Sequence, residues 1–273
     1  MFIKYYYIFV ILILIVIFLF INNILRSSES FKNKKKKKSL YQTYFDKSLI
    51  PQKVFINNNK YAPNYDIIIY DDKECLQFIN KYYGSEVLDA YKQLKVPAHR
   101  ADLWRYCILY QYGGLYMDIK TKLIKNVDGI FTNKNILYTV ISCVKSDKPD
   151  KQSIFNGIIY SPPKNPIFLE LINYCVKNKN VEGNYLIFTK HFARVIKKHS
   201  LYNTRNLTNN LIKMKNMPDI YLFKEKCIKR NPLHEYKNKN LFDRYGILSY
   251  IYDKEEKVIK TRYSDYPWKN HHS

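Results

Sequence analysis

Cysteine is sparse and unpatterned in this chain. Cys75, Cys107, Cys143, Cys175 and Cys227 are odd in number, widely spaced and form no CxxC. They offer neither a disulfide framework nor a zinc cluster to read. Cys107 and Cys175 fall within helical patterns and read as small core residues. Acids are few as well: 23 Asp and Glu stand against 46 Lys and Arg, a formal net charge of +23. Such a charge permits nucleic-acid binding, yet the basic residues scatter without an RNA- or DNA-binding motif, so no nucleic-acid partner is expected. The excess suits other anions, such as a lipid phosphate or an acidic glycan.

Charge is missing altogether from Tyr5 to Leu25, which is apolar apart from Asn22 and Asn23. As a helix this stretch spans about 30 Å, the thickness of a bilayer core. Residues 1–25 therefore read as a transmembrane signal anchor, with a cleaved signal peptide as the alternative. Residues 26–38, RSSESFKNKKKKK, are a basic linker. It reads as a solvated juxtamembrane segment, or as a binder of anionic headgroups. The expected location is a single-pass membrane protein, with the lysine run favouring a cytoplasmic catalytic domain. Residues 39–273 suffice for one domain.

Along that domain, apolar runs alternate with amphipathic segments. Ile50–Ile56 reads as a first strand and Asp66–Tyr70 as a buried one. Asp71 or Asp72 caps a helix over about Lys73–Tyr82, and Ser85 opens another to about Leu94. Ile136–Val144 and Ile154–Tyr160 read as strands, and Pro166 opens a helix to about Lys177. Asn156 and Gly157 on the latter strand are readable as substrate contacts or as a turn or bulge. Tyr185–His199 looks helical, and Asp219–Phe223 and Gly246–Tyr252 are late strands. The alternation argues for an α/β fold with parallel strands.

The most informative stretch is Val96–Leu123, VPAHRADLWRYCILYQYGGLYMDIKTKL. Ala98–Tyr112 lacks Gly and interior Pro, and its apolar residues recur at helical spacing. Pro97 precedes it where a missing N–H costs little, and Gly113-Gly114 stops it. Leu115–Met117 then runs as a short strand into Asp118, placing a carboxylate at the strand edge where ligands bind in open α/β sheets. Asp102 and Arg105, three apart, share a helix face; by themselves they are explained as a plain i,i+3 helix ion pair worth a few tenths of a kcal/mol.

The pattern ADxxRYxxLYxxGGxYxD resembles the signature of the DXD-containing sugar transferases, a family that includes yeast initiating mannosyltransferases, inositol-phosphoceramide mannosyltransferases and clostridial glucosylating toxins. Ala101, Asp102, Arg105, Tyr106, Leu109, Tyr110, Gly113, Gly114, Tyr116 and Asp118 carry the match. A looser likeness reaches Ile50–Phe55 and Asn156–Phe168. The resemblance implies a GT-A-like, Rossmann-related nucleotide-sugar-binding domain. It also implies a hexosyltransferase, mannose being the first sugar, with retention of anomeric configuration; with the apolar stretch Tyr5–Leu25 the whole reads as a membrane-anchored enzyme. The implied partners are a nucleotide-sugar donor and a glycan, lipid or protein acceptor, and eukaryotic members usually face the Golgi or ER lumen.

Carried over by position, Asp102, Arg105 and Gly114 hold the donor sugar, and Asp118 is the first DXD acid, near ribose and a divalent metal, Mn²⁺ or Mg²⁺. The second DXD acid is Lys120 here. Two readings follow: Lys120 neutralises the departing diphosphate as a point charge, or Asp118, the diphosphate and a C-terminal ligand hold the metal. Related transferases close the donor site with a C-terminal Trp-containing segment, which Trp268 with His271 or His272 matches loosely; imidazole is a suitable metal ligand. A solvated terminus explains the same residues. A non-catalytic sugar- or nucleotide-binding relative is the alternative function, with Lys120 marking the loss of metal.

Overall fold

A computed structural model describes residues 16–22, 37–143, 152–202, 205–229 and 247–261. By contacts the chain divides into Met1–Lys37 and Lys38–Ser273. The second unit is mixed α/β, built on one ten-stranded sheet.

Its elements in chain order are β1 (Lys38–Thr43), α1 (Gln52–Tyr61), β2 (Tyr65–Tyr70), α2 (Asp72–Tyr82), α3 (Ser85–Gln93), α4 (Pro97–Tyr112), β3 (Gly114–Met117) and β4 (Lys122–Leu123). There follow β5 (Leu137–Ile141), β6 (Ile154–Ser161), α5 (Pro166–Lys177), α6 (Ile187–His199), β7 (Leu211–Ile212), β8 (Ile220–Lys229), β9 (Ile247–Asp253) and β10 (Glu256–Lys260). The strand order is β2-β1-β3-β6-β5-β8-β9-β10-β4, with β7 on β8. Strands β1, β2, β3, β5 and β8 run in one direction, whereas β6 and β9 run against them. The sheet is therefore mixed rather than parallel throughout.

Covalent geometry forces this sheet to curl. β4 lies six strand spacings from β3, about 29 Å in a flat sheet. Only Asp118–Thr121 separate the two in sequence, a reach of roughly 18 Å at full extension. β4 must return toward β3, and α1 receives it there: the Asn57 side chain accepts from Leu123 N and donates to Leu123 O, both at 2.9 Å.

Both sheet faces are buried, and side chains alternate between them. On one face Tyr116 and Ile159 pack with Trp104, Tyr106, Phe168, Phe188 and Phe192 from the helices. On the other, Leu115, Met117, Ile158 and Tyr160 pack with Phe131, Phe223 and Ile259. Helix α4 is buried from His99 to Leu109 except at Arg100 and Ala101. A helix surrounded on most sides this way is a core element rather than an amphipathic cover.

Several expectations are corrected. Ile50–Ile56 is not a strand: Pro51 stands at the N-cap of α1, and Val54, Asn57 and Asn58 are its buried face. The first strand is Lys38–Thr43, beginning within the lysine run. Asp71 caps α2 through a capping box, donating and accepting with Glu74, so these carboxylates are structural. Cys143 and Cys227 form a disulfide across 84 residues, where the sequence offered no pairing; adjacent ends of β5 and β8 bring them together.

The expected membrane span is not found. No helix among the described residues is long and apolar enough to cross a membrane. The helical residues 16–22 rise only about 10 Å, a third of a bilayer core of roughly 30 Å. The rest of Tyr5–Leu25 lies outside the described residues. The single-pass membrane localisation is overturned on this finding.

Candidate active site

The site is assembled where α4, β3 and the start of β6 meet. Gly113 ends α4 with a φ of +63°, and its N–H donates to Leu109 O at 2.9 Å. A β-carbon there would lie 2.5 Å from Pro163 N, so only glycine permits the turn. Four residues of β3 then deliver Asp118 to the edge where β1, β2, β3, β5 and β8 end. Its N–H donates to Gly157 O at 2.8 Å, continuing the ladder one residue beyond the strand.

Asp102 and Arg105 do form an i,i+3 ion pair, but each is 5 % exposed, so it is a buried one. Arg105 lies between two carboxylates, with Nη2 3.3 Å from Asp102 Oδ1 and Nη1 3.3 Å from Asp118 Oδ1. Nε donates to Ala101 O at 3.1 Å and Nη1 to Asn156 O at 2.5 Å. The guanidinium also stacks on Tyr116, 4.4 Å above the ring, while the Tyr116 hydroxyl donates to Asp118 Oδ1 at 2.8 Å. Buried charges survive only when paired and hydrogen-bonded, and this cluster meets that condition at the expense of stability.

Asn156 locks the arrangement. Its Nδ2 donates to Asp102 Oδ1 and to Tyr106 Oη, both at 2.9 Å. Asp102 Oδ2 has no hydrogen-bond partner among the described residues and remains an open acceptor. Burial pushes the Asp102 carboxyl up to about 6, against the opposing pull of Arg105, His99 and Asn156. Burial works against the Arg105 charge, but Tyr116, Asp118 and Asp102 outweigh it, and the guanidinium is held charged.

Of the expected site residues, Asp102, Arg105 and Asp118 come together. Gly114 stands at the opposite end of β3, where a β-carbon would lie 2.8 Å from Ser39 O; its bareness serves the approach of β1. Lys120 is half-buried in the turn after Asp118. Trp268, His271 and His272 lie outside the described residues. Asn156 and Gly157 prove to be part of the cluster. Their only signal in the sequence was a polar residue and a glycine inside an otherwise apolar strand.

A divalent cation is tested against this donor set. Asp118 supplies one carboxylate, whose Oδ1 already engages Tyr116 and Arg105, and an ammonium stands where a second acid is needed. Mn²⁺ and Mg²⁺ take several oxygen ligands, so the described residues alone do not fit one. The grouping with ligand spacing among the described residues is Cys143, Glu225 and Cys227, whose cysteines are joined. Hollows of about 410 and 390 Å³ open elsewhere, beside Ile67 and Val258, away from the cluster.

Residues 51–137, which include Asp102, Arg105 and Asp118, match the model of the family described as the glycosyltransferase sugar-binding region containing the DXD motif. The resemblance to the DXD-containing sugar transferases is borne out. A mannosyl phosphorylinositol ceramide synthase of Saccharomyces cerevisiae is 29% identical over 110 residues, covering 40% of this chain and 26% of its own length. An uncharacterized glycosyltransferase of Acanthamoeba polyphaga mimivirus is 30% identical over 115 residues, 42% of each chain. An initiation-specific alpha-1,6-mannosyltransferase of Schizosaccharomyces pombe is 26% identical over 125 residues, 40% of this chain and 32% of its own. The chain thus spans well under half the length of these sugar transferases. Among solved structures, the PaToxG glycosyltransferase aligns over 59% of this chain and 69% of its own, at 15% identity and a TM-score of 0.44. That superposition is too loose to carry residue roles across.

Proposed function

We propose that this chain is a GT-A-like glycosyltransferase that moves a hexose from a nucleotide-sugar to a glycan, lipid or protein acceptor. The relatives named as mannosyltransferases make mannose the first sugar to try, and family resemblance favours retention at the anomeric carbon. The observation that carries the reading is the buried Asp102–Arg105–Asp118 cluster at the carboxyl ends of the parallel strands. It leaves the open Asp102 Oδ2 to accept hexose hydroxyls. Arg105 spends most of its fork on protein groups and so fixes both carboxylates as well as facing the sugar. Asp118 faces the ribose side.

In the reaction the bond between the anomeric carbon and the diphosphate oxygen breaks. Negative charge grows on that oxygen, and the Lys120 ammonium, two residues past Asp118, is the group assigned to stabilise it. The departing oxygen then takes the proton of the attacking acceptor hydroxyl, so no protein base is required. A second reading, a sugar-binding relative without turnover, is favoured by one observation: an ammonium replaces the second acid.

The test is hydrolysis of a nucleotide-sugar panel by the full chain, with added Mn²⁺ and with EDTA, repeated with glycan and glycolipid acceptors. Turnover of one donor that survives EDTA supports the reading with Lys120 at the diphosphate. Turnover abolished by EDTA keeps the transferase and removes that role from Lys120. Tight donor binding without hydrolysis or transfer supports the second reading.

A further inference from the structure

Tyr185 lies two residues ahead of α6 and is 49 % exposed. Its main chain is fastened: His99 Nε2 lies 3.2 Å from Tyr185 O, and His99 is itself 1 % exposed. The two rings are 6.2 Å apart at 34°, and Phe188 stands edge-on to His99 at 4.8 Å. A buried imidazole therefore backs a half-open phenol. His99 stands three residues before Asp102 on α4, on the same helix face. The segment carrying Tyr185 is pinned to the face that presents the sugar-holding pair.

The phenol also lies within the field of that pair. Partial burial, then the charges of Asp102 and Asp118, push its hydroxyl up to about 12, so it stays a neutral donor. Asp102 and Arg105, held by Asn156, are polar and suit the hydroxyl rim of a sugar. A hexose also has an apolar C–H face, and a site made of those three residues leaves that face wet. An aromatic ring with its negatively polarised face is the side chain suited to cover it.

We propose that Tyr185 is the aromatic wall of the donor subsite, on which the hexose rests while its hydroxyls reach Asp102. This rests on the glycosyltransferase reading above. The ring, not the hydroxyl, carries the contact, and it serves the sugar rather than the nucleotide. Tyr185 lies outside the matched segment 51–137, in the downstream half of the chain.

Calorimetric titration of the full chain tests this, using GDP-mannose and UDP-glucose beside GDP and UDP, for the wild type and for Tyr185→Ala, Tyr185→Leu and Tyr185→Phe. Tyr185→Ala and Tyr185→Leu are expected to weaken the accepted nucleotide-sugar about tenfold, with the matching diphosphate changed less than about twofold. Tyr185→Phe is expected to stay within about threefold for both. Should Tyr185→Ala fail to fold, Tyr185→Leu gives the same comparison. Equal losses for nucleotide-sugar and diphosphate, or no loss for either, overturns the assignment. A wild type that binds none of the four probes overturns the glycosyltransferase reading and this one with it. Wild-type binding matched by Tyr185→Ala removes Tyr185 alone.

Discussion

Asn156 donates its side-chain amide to Asp102 Oδ1 at 2.9 Å, joining the start of β6 to the helix that carries the sugar-holding pair. The same residue serves Tyr106 through its amide and Arg105 through its carbonyl. Asn156→Ala strips donors from two buried oxygens. It is expected to cost about 1–3 kcal/mol in urea unfolding and to weaken nucleotide-sugar binding at least about tenfold. Unchanged binding would mean that Arg105 alone positions Asp102.

Gly157 matters for what it lacks. A β-carbon there would stand 2.6 Å from Asp118 Oδ2 and 2.6 Å from Phe155 Cζ. Gly157→Ala must therefore displace the carboxylate or the ring, at about 1–3 kcal/mol. Turnover of the donor is expected to fall more than about tenfold, because a displacement near 1 Å misaligns reacting groups. Full activity in a stable Gly157→Ala protein would show that Asp118 does not need its present position.

Lys120 separates two electrostatic schemes. If its ammonium stabilises the departing diphosphate, Lys120→Met lowers kcat by about 10² to 10³ with a smaller change in KM. Lys120→Asp restores a second carboxylate, and its residual turnover is expected to depend on Mn²⁺ and to vanish in EDTA. Steady-state kinetics on both variants decides. A Lys120→Met enzyme with wild-type kcat removes the residue from the chemistry.

The Asp102 carboxyl, raised to about 6 by burial, starts from about 3.9 in the unfolded chain. The folded state holds this proton more tightly, so its contribution to stability is lost as pH rises from about 4 to about 6 and is level above that. Asp102→Asn has no such proton. The melting temperature of the wild type, compared with Asp102→Asn, is expected to drop between about pH 4 and about pH 7. Donor affinity should strengthen over the same window, as the ionised form accepts hydroxyls. A melting difference independent of pH would show Asp102 ionised throughout.

What the sequence disclosed was local. The acidic cap at Asp71 or Asp72, the Pro166 helix and the α4–Gly113–β3–Asp118 unit each rest on residues a few positions apart, where caps and steric rules act directly. Ile50–Ile56 misled because Val54 and Ile56 alternate as strand residues do, while Pro51 opens a helix just as well. The Cys143–Cys227 pairing and the Asn156–Asp102 bond depend on partners 84 and 54 residues away. No spacing rule reports those. The motif contains the three charged residues that come together in the cluster, but not the uncharged asparagine bonded to two of them.

The return of β4 to the far margin of the sheet has a consequence for biosynthesis. Among the described residues, Leu123 and Lys122 find their strand partners in Ile259 and Lys260. The turn bearing Asp118 and Lys120 is thus closed by a strand synthesised about 140 residues later, roughly 7 to 28 s at ribosomal speed. Until then the nascent chain holds its motif open on one side, and a ribosome that stalls before residue 256 releases a protein with the signature intact and the site unfinished.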